Sequence, residues 1–157
     1  SDSLEDIAKY AAIDVYRHLR KPVVVEDSGL FIEALNGFPG PYSNYIYKTI
    51  GLRGVLKLLE GEPNRRARFE AVVVLAMSEN ELYVFKGVAE GIISHEIRGS
   101  KGFGFDPIFI PVECGCNKTF AEMEIKEKNR YSHRGKAFNM LGKWVSVNRD
   151  KFICMSM

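Results

Sequence analysis

The sequence predicts a mixed α/β domain. Apolar residues recur at helical spacing at both ends of the chain, and short β-branched runs lie between them in an order that does not alternate regularly. At the start, Ser3 followed three residues on by Asp6 is a capping-box-like signal. Leu4, Ile7, Ala8, Ala11, Ala12, Val15 and Leu19 then share one helix face, and Lys21-Pro22 ends it. Val23-Val24-Val25 reads as a short central strand buried on both faces, running into Glu26-Asp27-Ser28-Gly29. Leu30 to Leu35 reads as a second apolar stretch, closed by the turn formers Asn36-Gly37-Phe38-Pro39-Gly40-Pro41. Helical spacing resumes at Tyr45, Ile46 and Thr49 and again at Leu52, Val55, Leu56 and Leu59. Phe69 to Met77 and Leu82 to Val88 flank Ser78-Glu79-Asn80-Glu81, a hairpin signal, and Ile92-Ile93 prolongs the second strand or opens a third. A glycine-rich stretch from Arg98 to Gly104 leads into the apolar Ile108-Phe109-Ile110. A last helix runs from about Ser132 to Val147, with Ala137, Phe138, Leu141, Trp144 and Val145 on one face.

The bulk numbers narrow the function classes. A chain of 157 residues is a single domain's worth, and 46% hydrophobic with 27% charged residues is ordinary for a water-soluble globule. A net charge of +2, with basic and acidic residues interleaved, lacks the concentrated stripe of a nucleic-acid binder. Neither an apolar run of membrane-spanning length nor a leader pattern is present, so no membrane partner is expected. Cys114, Cys116 and Cys154 are an odd, sparse set, which argues against a disulfide framework and for a reducing cytoplasm. Cys114-Gly115-Cys116 would need two further ligands at matching spacing to hold zinc.

Three segments have the makings of chemistry. Glu26 and Asp27 follow a buried strand, where sites gather in open α/β sheets, and adjacent carboxylates there suit Mg²⁺ with substrate phosphates. Asp27 could also orient or deprotonate a water, and the plainer alternative is that the pair ends a strand. Ser132-His133-Arg134 opens a helix, whose free N–H groups attract anions. Arg134 adds a donor fork for a phosphate or a base edge, and Lys128 lies just upstream. The alternative there is a solvated first turn. Gly102-Phe103-Gly104-Phe105-Asp106-Pro107 could form a slot for a flat base, with Asp106 accepting from a ring N–H, or simply two core phenylalanines around a tight turn.

Five strings occur in order: Val25-Glu26-Asp27-Ser28-Gly29-Leu30, Gly37 to Ser43, Gly102 to Phe109, Thr119 to Met123, and Lys128 to Arg134. Together they resemble the inosine triphosphate pyrophosphatase family, and in style its archaeal members, from Ser3 to Trp144. The resemblance implies an elongated mixed sheet with flanking helices, two lobes around a central cleft, Mg²⁺ as cofactor, and a homodimer. It implies cleavage of ITP, dITP and XTP to the monophosphate and pyrophosphate. It matches Asp27 to the metal-binding, water-activating carboxylate with Glu26 beside it, and Ser28 to a nucleotide contact. Phe103, Gly104, Phe105 and Asp106 match the base-pocket wall, and Lys128, His133 and Arg134 the residues holding base and phosphates. A non-catalytic purine nucleotide-binding module, or an inactive shortened form of the enzyme, is the alternative.

The sequence departs from the family pattern at its start. The family's first strand and its Thr-Gly-Asn-x-x-Lys phosphate loop have no counterpart, nor does a second metal carboxylate. The expectation is a single domain over 1–157 that lacks roughly 30 to 40 amino-terminal family residues. That departure implies a weakened grip on the triphosphate and an open sheet edge.

Overall fold

The computed structural model describes residues 3–156, with side chains through Phe152. The third cysteine, Cys154, is beyond those side chains. The α/β class holds. Five strands pair in the order β2-β1-β3-β4-β5, every pairing antiparallel: β1 (Val23–Ile32), β2 (Pro39–Gly40), β3 (Arg66–Ser78), β4 (Glu81–Ile93) and β5 (Phe109–Pro111). Helix α1 (Leu4–Leu19) begins with Ser3 accepting the Asp6 N–H, as its sequence signal predicts. Short helices α2 (Ser43–Thr49) and α3 (Gly51–Leu58) follow β2, and α4 (Ile125–Tyr131), α5 (His133–Val147) and α6 (Arg149–Ser156) close the chain. The sequence reading does not mark α4.

The strand buried on both faces is β3, not the Val23–Val25 run. Every residue of β3 from Ala71 to Met77 is buried. On one face α1 lays Leu4, Ala8 and Ala12 over Val72, Val74 and Ala76; on the other, α5 brings Ala137 against Ala71 and Val73. Removing these faces from water at about 25 cal/mol per Å² is what holds both helices to the sheet. Val24 is 47% exposed, because the body of α5 lies over β3 and β4 and leaves that part of β1 uncovered. Among the described residues nothing pairs with the outer edge of β1 from Val23 to Gly29. Instead of stopping at Val25, β1 continues through Glu26-Asp27 to Ile32, so the first apolar stretch and the start of the second are one strand, and Glu33–Leu35 is a short 3-10 helix. The acidic pair therefore sits within a strand rather than beyond its end.

A second, larger core fills the other end of the sheet. Leu30, Ile32 and Phe69 meet Val55 of α3 and Leu59 just beyond it there, with Phe105, Ile108, Phe109, Phe120 and Met123 from the segment after β4. Thr119 and Glu122 form a reciprocal capping box that fixes the turn leading to α4. The cleft opens beside this larger core, where Leu30, Phe69 and Phe105 form part of its lining. The loop after β5 also carries a correction: Cys114 and Cys116 are joined in a disulfide. Gly115, at φ +63°, turns the chain back so that the two Cα atoms are 5.2 Å apart, within disulfide reach. Counting cysteines for a long-range framework overlooks so local a pair.

One close approach sets where α5 begins. A Cβ at Gly87 of β4 would lie 2.0 Å from the His133 carbonyl oxygen and 2.8 Å from the Ala137 nitrogen, so only glycine lets the helix sit this low. Gly87→Val is expected to lower stability by about 1–3 kcal/mol, the usual range for overpacking, read as a drop in thermal midpoint. Gly142→Ala in the same helix, where a Cβ meets nothing within 4 Å, is the control and is expected to raise the midpoint.

Candidate active site

The cleft encloses about 510 Å³, within the range of small-molecule sites. Every site residue expected from the sequence lines it, from Glu26-Asp27-Ser28 on β1, through Phe103 to Asp106, to Lys128 of α4 and His133-Arg134 of α5. The acidic pair and the basic helix start thus share one cavity. Sequence reasoning did not single out Asn44, Tyr47 or Asn129, which line it too. Tyr47 stands edge-on to Phe105 with ring centroids 5.5 Å apart, and it lies one helical turn from Asn44, a spacing that is readable but carries no chemical flag. Ser43 is structural: its buried hydroxyl accepts the Leu30 N–H at 2.8 Å and donates to the Gly40 carbonyl at 2.6 Å, tying β2 and α2 to β1.

Glu26 and Asp27 do not act as a pair. Successive strand residues point to opposite faces, and here Glu26 shares a face with Val73 while Asp27 shares one with Val72. Glu26 meets Arg134, 108 positions away, in a two-pronged ion pair: Nε donates to Oε1 and Nη2 to Oε2, both at 3.0 Å. Both Glu26 oxygens are therefore engaged. Asp27 accepts the Ser28 N–H on Oδ1 at 3.0 Å. Burial pushes the Asp27 carboxyl above its usual range and Glu26 adds to this, while the Ser28 N–H and Arg134 pull the other way. Among the described residues no group of three or more His, Cys, Asp or Glu side chains gathers as a metal cage. What fits a hard cation is the single carboxylate of Asp27, and Mg²⁺ commonly takes one or two carboxylates with waters and substrate phosphates completing its shell.

The opposite wall is cationic and aromatic. Asp106, 3% exposed, has one carboxylate oxygen engaged within the protein. Its Oδ2 accepts the Phe103 N–H at 3.0 Å and the Lys128 ammonium at 2.6 Å. Gly102, at φ +71°, makes room for that oxygen, since a Cβ there would stand 2.2 Å from it. The Phe103 ring, 59% exposed, has Lys128 Nζ at 4.5 Å and Arg134 Cζ at 4.6 Å from its centroid. Lys128 and Arg134 are thus each held by one carboxylate and share one ring.

His133 is the first residue of α5, with Ser132 capping the helix through the Gly135 N–H at 3.0 Å. Its imidazole stacks on Phe69 at 4.5 Å and 12°, and its buried Nδ1 has no hydrogen-bond partner among the described residues. Burial first, then the charges of Arg134, Lys128 and Lys136, depress the His133 pKa to about 3, so the ring is neutral at physiological pH. A histidine whose folded pKa is depressed contributes stability above its unfolded pKa of about 6.5 and loses it as pH falls toward the folded value. Wild type is therefore expected to lose stability between about pH 6.5 and 3 with an added slope approaching 1.4 kcal/mol per pH unit, which His133→Phe removes. Thermal midpoints across that range, taken on both proteins, check it.

The comparisons agree on kinship. The chain matches the Ham1 family over residues 1–144. It is 58% identical to a dITP/XTP pyrophosphatase of Hyperthermus butylicus, covering 92% of this chain and 75% of that protein. To the dITP/XTP pyrophosphatase of Thermococcus kodakarensis it is 52% identical, covering 94% and 78%. Among solved structures, a HAM1 protein from Coxiella burnetii superposes with a TM-score of 0.86 at 34% identity, over 93% of this chain and 78% of that one. With the fold, the cleft and these matches in agreement, the chain belongs to the Ham1 family.

Proposed function

We propose that this chain hydrolyses non-standard purine nucleoside triphosphates (ITP, dITP and XTP) to the monophosphate and pyrophosphate with Mg²⁺. The observation that carries the reading is a single cleft in which the half-buried Asp27 faces the cationic start of α5. The relatives named dITP/XTP pyrophosphatases support it. Hypoxanthine and xanthine present acceptors at O6 and N7. Arg134 has five N–H donors, of which two are taken by Glu26, so donors remain for that edge. Adenine presents an amino donor at the same place, and a buried donor left facing a donor costs about 1–3 kcal/mol, or roughly tenfold to a hundredfold in selectivity. This separates hypoxanthine from adenine; guanine shares the O6 acceptor and is not excluded by it.

The remaining roles follow the geometry. Phe103 supplies a ring face for the base, and neutral His133 supplies an unpartnered Nδ1. Lys128, oriented by Asp106, lends positive charge to the phosphates, and Ser28 lies beside Asp27 to contact the nucleotide. Asp27, with its raised pKa, is a better proton acceptor for an attacking water than an exposed aspartate. Mg²⁺, when bound, would lower the pKa of a bound water and offset charge on the departing pyrophosphate. The metal reading rests on Asp27 rather than on Glu26. A cytoplasmic location and a homodimer belong to the same reading, as the family resemblance implies; among the described residues no helix is long and apolar enough to cross a membrane.

Incubation with ITP and Mg²⁺, with pyrophosphate measured, tests the reading. Release is expected from wild type and a loss of about 10²–10⁴-fold from Asp27→Asn. Tight binding of IMP without turnover would instead mark a non-catalytic nucleotide-binding module. Because burial disfavours the charged form of Asp27, the stability it contributes is present at low pH and lost as pH rises through its raised pKa. Asp27→Asn is therefore also expected to melt higher than wild type in metal-free buffer at neutral pH.

A further inference from the structure

We propose that Glu26 is a positioning residue for base selection: it locks the Arg134 guanidinium in one plane, and this lock, not metal ligation, is its role. The proposal rests on the reading of the cleft as a purine nucleotide site. The two hydrogen bonds of 3.0 Å fix the guanidinium in its own plane, and the Phe103 ring at 4.6 Å from Cζ faces the same group. The Glu26 side chain is only 17% exposed and its partner 36%, so the pair is sheltered from the screening that weakens surface ion pairs. Their backbones are equally fixed. Glu26 lies within the continuous β1–β3 register, and Arg134 lies in the first turn of α5, seated low by Gly87.

Discrimination needs that rigidity. An arginine on a flexible stem can turn its donors away from an adenine amino group and escape the unpaired contact, so it binds both bases. One whose fork is held by a carboxylate cannot turn, and the wrong base meets donors it cannot satisfy. A side chain already ordered also loses less freedom when the right base arrives. Glu26 is badly placed for the rival role. Both its oxygens are occupied, and it projects from the opposite face of β1 to Asp27.

The test compares wild type, Glu26→Gln and Glu26→Ala. IMP and AMP affinities are measured by calorimetry in metal-free buffer, and the Mg²⁺ concentration for half-maximal ITP hydrolysis is measured alongside. Wild type is expected to prefer IMP by about tenfold or more. Glu26→Ala is expected to bring the two affinities close to parity, and Glu26→Gln, which keeps the shape and one acceptor, to fall between. The half-saturating Mg²⁺ concentration is expected to stay where it is in Glu26→Gln. An affinity ratio taken within one preparation is insensitive to any misfolded fraction. An unchanged ratio in Glu26→Ala overturns the proposal while leaving the nucleotide-site reading intact. So does a ratio that holds in Glu26→Gln while its Mg²⁺ requirement rises, since that marks a metal ligand. A wild type with no preference for IMP over AMP sinks the base-selection reading itself.

Discussion

The height at which α5 rests on the sheet is the constraint on which the cleft depends. Gly87 permits the close approach, Ala137 fills the contact beneath the helix, and the Ser132 cap fixes the first turn. Gly135 repeats the device on the other side, where a Cβ would stand 2.1 Å from the Asn129 carbonyl oxygen, so α4 and α5 are joined with no slack. From that seating everything else in the site follows. His133 reaches Phe69, Arg134 reaches across to β1, and Lys128 arrives one helix earlier over Phe103, the ring that Arg134 also faces. Interiors packed at crystal-like density transmit small shifts, so raising the helix would disturb all three together.

Two of the charges that line the cleft are paired with a carboxylate. Lys128 has Asp106, and Arg134 has Glu26. Taking such ions out of water is costly unless geometry is good and further hydrogen bonds are made, and both pairs have this support. Asp27 accepts the Ser28 N–H, and burial makes its carboxyl reluctant to ionise. Opposite, the neutral His133 leaves a nitrogen unsatisfied.

Much of this was legible in the residues. The two long helices, the β3–β4 hairpin and the whole set of expected cleft residues lie where spacing and motif order indicate. What escaped reading had physical causes. Glu26-Asp27 breaks the apolar pattern of β1, so a single strand looks like two, yet the pairing with β3 carries it through. Val23 to Val25 has the composition of a central strand, but burial depends on which strand the helices cover, and that is a tertiary fact. Asp106 looks like a base contact from its place among glycines and aromatics, and only the fold shows its oxygen turned toward Lys128. Asn44, Tyr47 and Asn129 carry no unusual chemistry, so nothing short of coordinates distinguishes them.

The alternation of side chains along β1 gives two neighbouring carboxylates of one cavity different surroundings. Glu26 is presented to Arg134, and Asp27 projects from the other face of the strand. A slip of one position in its pairing with β3 would exchange them, setting the shorter aspartate before the arginine and sending the glutamate away. Loops elsewhere can gain or lose residues without touching this division. Between Val25 and Leu30 the count itself is set by the pairing with β3: deleting Gly29 alone would keep Glu26, Asp27 and Ser28 in the chain yet shift them by one position against the residues that follow.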